Sequence, residues 1–274
     1  KKRIMNKAVI ELQNIKRNFQ VGDETVHALR GVSFTIREGE FVTIMGTSGS
    51  GKSTLLNTLG CLDTPTSGEY LLDGISVRTM SKPQRAVLRN RKIGFVFQSY
   101  NLLPKTTAVE NVELPLMYNS SVSASERRRR AIEALQAVGL GDRLEHKSNQ
   151  MSGGQMQRAL LCRAVISDPK LLILDEPANF VDNRFENELY RMLAELHGRM
   201  AIVMISHDLG TITSVVRNIV CVNRYVHRHD SNIITEEQLR NYDCPIQLIS
   251  HGKVPHTVLA SHPHDCCPHT RTEE

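Results

Sequence analysis

A glycine-rich segment at residues 46–53, GTSGSGKS, has the residue types and spacing of a phosphate-binding loop. It fits the pattern G-x-x-x-x-G-K-[ST] between an apolar run and a helical stretch. Glycines let the backbone curl so that successive N–H groups point at phosphate oxygens, and the helix N-terminus favours the same charge. The residues expected to hold the phosphates and Mg²⁺ are Gly46, Ser48, Gly49, Gly51, Lys52, Ser53 and Thr54.

Within this loop two side chains have specific expected roles. Lys52 is expected to reach the β- and γ-phosphates, and the Ser53 hydroxyl is expected to ligate Mg²⁺. The pattern therefore predicts a site for a nucleotide triphosphate and its metal.

Two carboxylates, Asp175 and Glu176, follow a second apolar run, LLIL at residues 171–174. Ligands bind at the carboxyl ends of strands in an open α/β sheet, so both acids are expected at the nucleotide. We expect Asp175 to hold the Mg²⁺ shell and Glu176 to polarise the attacking water. The predicted chemistry is phosphoryl transfer to water.

Three patterns predict the elements that position these residues. Short apolar runs between turn signals predict antiparallel strands over residues 8–45, and apolar residues at helical spacing predict a helical insertion at about 99–158. The runs at 171–174 and 201–205 predict buried parallel strands. The predicted fold class is α/β, a P-loop NTPase (RecA-like) parallel core sheet with an antiparallel N-terminal β subdomain and a helical insertion subdomain.

The segment Ser152-Gly153-Gly154-Gln155 precedes a helical stretch between the two motifs. Together the three motifs resemble the ABC ATPases, and the resemblance runs over about residues 8–225. In that family this segment of one subunit closes over the ATP held by the phosphate loop of another. The resemblance implies ATP hydrolysis, a head-to-tail homodimer, and contact of Ser152, Gly153, Gly154 and Gln155 with nucleotide in trans.

Four more residues take expected roles from the resemblance. Gln98 matches the glutamine that reaches Mg²⁺ and the water, and His207 matches the histidine that contacts the γ-phosphate. Phe19 lies where the family places an aromatic ring against adenine. Asp182 matches the acid of the dimer-contact segment at residues 178–182, two of whose other positions depart from the family pattern.

The two halves of the sequence resemble different branches of that family. Residues 8–158 resemble lipoprotein-releasing and macrolide-export ATPases, and residues 159–274 resemble zinc- and manganese-import ATPases. The chain therefore reads as a composite, and a natural recombinant, an engineered chimera and a divergent single lineage all fit it. The membrane-coupling surface of the family lies in the first half, so we favour the export type. Metal import is the alternative, and a soluble non-transport protein of the family is a weaker one.

Residues 225–274 are predicted to form a His/Cys-rich, partly disordered extension to an ATPase domain at 1–224. Two readings of the extension stay open, a mobile polar tail and a Zn²⁺ site. The candidate Zn²⁺ ligands are His227, His229, His251, His256, His262, His264, Cys266, Cys267 and His269.

Composition is typical of a globular protein in a reducing compartment. Six cysteines without a C-x-x-C pair argue against a disulfide framework, and no apolar run approaches about 18 residues. The net charge of +5 owes much to residues 127–130, which fit a solvated helix face better than nucleic-acid binding. We expect a cytoplasmic subunit, peripheral on the inner membrane beneath a separate transmembrane permease, with no nucleic-acid partner.

Overall fold

A computed structural model describes residues 7–98, 101–177, 183–206, 218–223, 225–229, 246–251 and 254–259. The strands are β1 (Ala8–Val21), β2 (Glu24–Arg37), β3 (Phe41–Met45), β4 (Ser67–Leu72), β5 (Ile75–Ser76), β6 (Ile93–Val96), β7 (Leu171–Asp175), β8 (Ala201–Ile205), β9 (Asn218–Asn223), β10 (Tyr225–His229), β11 (Ile246–His251) and β12 (Val254–Leu259). The helices are α1 (Lys52–Leu59), α2 (Lys82–Lys92), α3 (Ala108–Glu113), α4 (Ala124–Ala137), α5 (Gly153–Val165) and α6 (Asn183–Leu196), with 3₁₀ turns at Leu114–Tyr118 and Ser148–Gln150.

The central sheet has the strand order β10-β9-β3-β8-β7-β6. All its neighbouring pairs are parallel except β9 with β10. Every residue of β3 and β8 is buried, as a parallel sheet covered on both faces requires. The parallel core predicted from the apolar runs is confirmed, and its carboxyl edge brings the ends of β3, β6 and β7 together.

A second, antiparallel sheet has the order β2-β1-β4-β5. Its long pair β1 and β2 aligns Leu12 with Phe34 and Phe19 with Val26, with several register shifts along its length. The predicted antiparallel N-terminal subdomain is confirmed. It also recruits β4, from beyond the phosphate loop, because Tyr70 and Leu72 are buried in the same core as β1, and β5 pairs with β4 at the edge of the sheet.

Helices α3, α4 and α5 pack together and confirm the predicted helical insertion. Ala131 and Leu135 of α4 are fully buried against this core, whereas the arginine run at 127–130 forms ion pairs on the helix surface, such as Arg129 with Glu126 and Glu133. These contacts agree with a solvated, charge-paired helix face.

The core sheet extends beyond residue 224, because β10 pairs with β9. Further on, β11 and β12 form a two-stranded antiparallel ribbon. The domain division at residue 224 stays a prediction. None of the described helices is both long and apolar enough to cross a membrane.

Candidate functional site

The phosphate loop connects the buried strand β3 to helix α1, and its glycines are required by close backbone contacts. Gly46 has φ +155°, and a Cβ there would lie 2.1 Å from the Val222 carbonyl oxygen. Gly51, the residue that caps α1, has φ +103°, and its Cβ would lie 2.6 Å from the Ala28 carbonyl oxygen. A side chain at either position would push the loop away from the sheet.

Lys52 begins α1 and folds back over the loop. Its Nζ donates to the carbonyl oxygens of Gly46 at 2.8 Å and Thr47 at 2.7 Å. Burial lowers the pKa of Lys52, and the charges of Glu176 and Asp175 act in the opposite direction. The ammonium group is therefore held at the mouth of the loop, with both carboxylates close enough to act on it electrostatically.

The two predicted carboxylates lie at the carboxyl edge of the sheet. Asp175 ends β7 and pairs with Ile205 of β8, and the next residue, Glu176, donates its backbone N–H to the Ile205 carbonyl at 3.1 Å. Glu176 has φ +46°, a left-handed conformation that is uncommon outside glycine and often marks functional positions. This turn directs the chain out of the sheet directly after the acidic pair.

Gln98 meets Glu176 at this edge. Its Nε2 donates to the Glu176 Oε2 at 2.8 Å. The contact follows from topology, because β6 and β7 are parallel neighbours and Val96 pairs with Leu174, so both chains leave the sheet at the same level. Two residues that sequence reasoning placed at the reacting water are thus brought into contact.

A cleft of about 560 Å³ lies over the loop. Its lining comes from residues 48–54, from Glu176 and from β2. The β2 contribution, Thr25, Val26, His27, Ala28 and Arg30, was missed by sequence reasoning. The alternating pattern of β2 indicates a strand, but only the tertiary fold shows which strand lies beside the loop.

Phe19 lies next to this wall of the cleft. It pairs across the sheet with Val26, which lines the cleft, and the Arg17 guanidinium lies 4.4 Å from the centre of its ring. The role expected for Phe19, an aromatic ring against adenine, stays a prediction.

The Ser152–Gln155 segment forms the N-terminal cap of α5. The Ser152 Oγ accepts from the Gln155 N–H at 3.3 Å, and the Gln155 Oε1 accepts from the Ser152 N–H at 2.9 Å. This reciprocal capping box fixes the first turn and leaves the Ser152 hydroxyl hydrogen able to donate elsewhere. Ser152 is exposed and does not line the cleft over the phosphate loop.

Gln157, two residues further along α5, also escaped sequence reasoning. It is 4% exposed, and its Nε2 donates to the Pro177 carbonyl at 2.9 Å. In the sequence, Gln157 stands out only as a polar residue on the helix face that otherwise carries apolar, buried side chains.

A second concave surface, the α2–α5 groove, lies between α2, β6, the 3₁₀ turn at Leu114–Tyr118 and α5, with a volume of about 450 Å³. Its apolar lining includes Val87, Phe95, Phe97 and Tyr118, and the rings of Phe95 and Phe97 stack at 4.2 Å. Arg89, Arg91 and Arg163 also line it.

Arg163 connects this groove to the chain that follows Gln98. Its guanidinium donates to the Asn101 carbonyl at 2.8 Å, and burial lowers its pKa. Val87 and Tyr118 are 53% and 74% exposed, so the groove presents apolar surface beside cationic groups.

Three sets of predicted residues gain no contacts from the structure. His207 and Asp182 lie outside the described residues. Of the candidate Zn²⁺ ligands, most lie outside them as well, and within the described ranges no cluster of three or more His, Cys, Asp or Glu side chains is placed to hold a metal. The Zn²⁺ reading has no support.

Comparison with known proteins matches residues 29–179 to the ABC transporter family. The chain is similar to an uncharacterized ABC transporter ATP-binding protein of Thermotoga maritima, 50% identical over 215 residues that cover 77% of this chain and 92% of that protein. It is also similar to the macrolide export ATP-binding/permease protein MacB of Brucella melitensis, 42% identical over 252 residues, which are 92% of this chain but 37% of that longer protein.

Among solved structures, the chain is similar to the ATP-binding cassette MJ0796 in a dimeric post-hydrolysis state bound to ADP and Pi. The sequence identity is 38% and the TM-score is 0.75, over 82% of this chain and 100% of that one. That cassette comes from Methanocaldococcus jannaschii.

These similarities give no support to a change of branch at residue 158. A single alignment with MacB covers 92% of the chain and so includes both sides of that position. The segments that suggested a metal importer are LLILDEP at 171–177, MISHDLG at 204–210 and above all the residues from Cys221 to Gly252, much of which lies outside the described residues. The zinc and manganese import alternative is likewise unsupported.

Proposed function

Because this chain belongs to the ABC transporter family and is an ATPase, we propose that it is the motor subunit of a membrane transporter of the lipoprotein-release or macrolide-export type. The observation that carries the catalytic part is the contact of Gln98 with Glu176 at the carboxyl edge that also presents the phosphate loop. The observation that carries the export type is the similarity to MacB across nearly the whole chain.

The donor set at the sheet edge fits Mg²⁺. The Ser53 hydroxyl, the Asp175 carboxylate and the Gln98 amide oxygen are hard oxygen ligands, which Mg²⁺ prefers, and they leave positions for water and phosphate oxygens. When bound, the metal would neutralise charge on the β- and γ-phosphates.

In the proposed reaction Lys52, Glu176 and Gln98 act on the phosphates and the attacking water. Lys52 exchanges its two carbonyl acceptors for phosphate oxygens and stabilises their charge. Glu176 accepts a proton from a water molecule while the oxygen of that water attacks the γ-phosphorus. The bond between the γ-phosphorus and the oxygen of the leaving ADP breaks. Gln98 orients the water and the carboxylate. The products are ADP and phosphate.

The second half of each site is proposed to come from another copy of the chain. The first turn of α5 has N–H groups that the helix itself leaves without acceptors, and its positive end favours a γ-phosphate. Ser152 lies outside the lining of the cleft in its own chain, so it would act in trans in a head-to-tail dimer. His207 and Asp182 keep their proposed roles at the γ-phosphate and the dimer contact.

The α2–α5 groove is proposed as the docking surface for a cytoplasmic segment of a separate transmembrane permease. Its exposed apolar side chains, together with Arg89, Arg91 and Arg163, fit an apolar segment that carries a carboxylate. Arg163 in the groove donates to the carbonyl of Asn101, which follows Gln98 in the chain. Docking of the permease segment would therefore affect the position of Gln98, next to the proposed base. We propose accordingly that the subunit lies on the cytoplasmic face of the membrane.

Reconstitution tests this proposal. The protein is co-expressed with the permease part of a MacB-type protein, without that protein's own ATP-binding part, and ATP turnover is compared with and without that permease part in lipid nanodiscs. Assembly with stimulated turnover supports the export type. If the isolated chain hydrolyses ATP but does not assemble with the permease, the ATPase activity stands and the proposed export-type partner is wrong.

A further inference from the structure

Gln157 is a buried hydrogen-bonding group that the proposed reaction does not use. It is 4% exposed, and nearby residues of α5, Ala159, Leu160 and Leu161, are also buried. An amide is costly to bury unless it is hydrogen-bonded, and Gln157 donates to the Pro177 carbonyl at 2.9 Å. A small or apolar residue would pack here at lower cost, so the donor itself requires an explanation.

The hydrogen bond joins two structures that act at different nucleotide sites. On one side is the first turn of α5, held in shape by the reciprocal bonds of Ser152 and Gln155. On the other side is the turn after β7, where Glu176 is held by Ile205 through its backbone and by Gln98 through its carboxylate. Pro177 is the residue directly after that carboxylate.

Symmetry makes the distance between these two structures important, and here the argument rests on the proposed head-to-tail dimer. In a two-fold dimer each chain offers Ser152 to its partner's nucleotide and receives the partner's Ser152 at its own. Within one chain, the carboxyl edge of the sheet and Ser152 are separated by a fixed distance. Both nucleotide sites can close at the same time only if that distance matches the separation of the two sites across the dimer interface. A shift of α5 relative to β7 would open both sites at once.

We propose that Gln157 is a positioning residue that fixes this distance, by locking the start of α5 to the turn that carries Glu176. It contacts neither the nucleotide nor the metal. Its loss weakens ATP-driven dimer closure and leaves nucleotide binding by the isolated phosphate loop unchanged.

The test uses Glu176→Gln, which holds ATP without turnover, as the background for Gln157→Met. The Met side chain has similar length and no donor. The ATP concentration for half-maximal dimer, measured by light scattering, is expected to rise about tenfold, the effect of losing one buried hydrogen bond at the closure step. The affinity for ADP, which lacks the γ-phosphate that Ser152 would contact, is expected to stay within about twofold.

Tyr70→Phe is the matched control, because the buried Tyr70 hydroxyl also donates to a carbonyl, that of Leu59, at 2.7 Å. Tyr70→Phe is expected to lower the melting temperature by about as much as Gln157→Met does. It is expected to leave ATP-driven dimer closure unchanged. If Gln157→Met fails to fold, Gln157→Leu removes the donor with a different apolar shape. Equal closure in Gln157→Met and Tyr70→Phe, or a parallel loss of ADP affinity, would overturn the proposal. If Glu176→Gln without a second substitution stays monomeric with ATP, the proposed dimer is wrong, and the proposed role of Gln157 is wrong for the same reason.

Discussion

Gln98 and Glu176 are 78 positions apart in sequence and share a 2.8 Å hydrogen bond between the Gln98 amide nitrogen and a Glu176 carboxylate oxygen. The bond exists because β6 and β7 are parallel neighbours that end at the same edge of the sheet. It holds the carboxylate of the proposed base in a defined orientation. The residue proposed to orient the water therefore also holds the carboxylate of the proposed base.

Gln98→Ala removes the hydrogen bond to Glu176 and the proposed contacts with the water and Mg²⁺. We expect turnover to fall about 10- to 100-fold, with an increase in the Mg²⁺ concentration needed for half-maximal rate, because groups that orient a metal and its ligands have effects of this size. ATP hydrolysis measured across a Mg²⁺ titration checks this. Unchanged turnover and Mg²⁺ dependence would remove Gln98 from the site.

Gly51→Ala is expected to abolish ATP binding. The new Cβ would lie 2.6 Å from the Ala28 carbonyl, at a left-handed φ of +103°, so the loop would move away from β2. Gly22→Ala is the control, since Gly22 also has a left-handed φ, +59°, but nothing lies within 4 Å of its added Cβ. Calorimetric titration with ATP should show binding in Gly22→Ala alone, and binding in both variants would contradict the close contact.

Thr43→Val is expected to stabilise the fold. Thr43 is fully buried in β3, and within the described part of the chain its hydroxyl has no hydrogen-bond partner. Removing an unsatisfied hydroxyl should raise the free energy of unfolding by about 1 kcal/mol. Thr58→Val is the matched opposite, because the equally buried Thr58 hydroxyl donates to the Thr54 carbonyl at 2.9 Å, and its loss should cost about 1 kcal/mol. Urea unfolding measures both, and a loss of stability in Thr43→Val would mean that the hydroxyl has a partner.

Val87→Glu is expected to prevent assembly with the permease while leaving the ATPase activity of the isolated chain intact. Val87 lines the α2–α5 groove and is 53% exposed, so a charge there opposes burial under an apolar segment without disturbing the core. Val21→Glu is the control, at a valine of similar exposure, 63%, that does not line the groove. Co-purification of the permease should fail only for Val87→Glu, and equal recovery with both variants would exclude the groove as the docking surface.

The sequence predicted the core strands and the loop well, because each depends on local rules. The run FVTIM at β3 is continuous and apolar as a doubly buried strand must be, and the glycine spacing of the loop leaves few alternatives. Parallel pairing then brought Gln98 to Glu176 without any local signal. The roles of these residues remain predictions.

Other features depend on tertiary neighbours and could not be predicted from local patterns. The β2 wall of the cleft, the Gln157 bond to Pro177 and the α2–α5 groove each join segments that are distant in sequence. The predicted change of branch near residue 158 gained no support, because one alignment with MacB covers both sides of that position.

Hydrolysis is proposed to take place in sites completed by two copies of the chain, with Glu176 as the base. The most direct test is light scattering after size exclusion of Glu176→Gln with and without ATP and Mg²⁺. We expect a mass near the 30.8 kDa monomer without ATP and twice that value with it, together with turnover at least about 100-fold below the unmodified protein. A monomer that binds ATP, or hydrolysis at the unmodified rate, would contradict it.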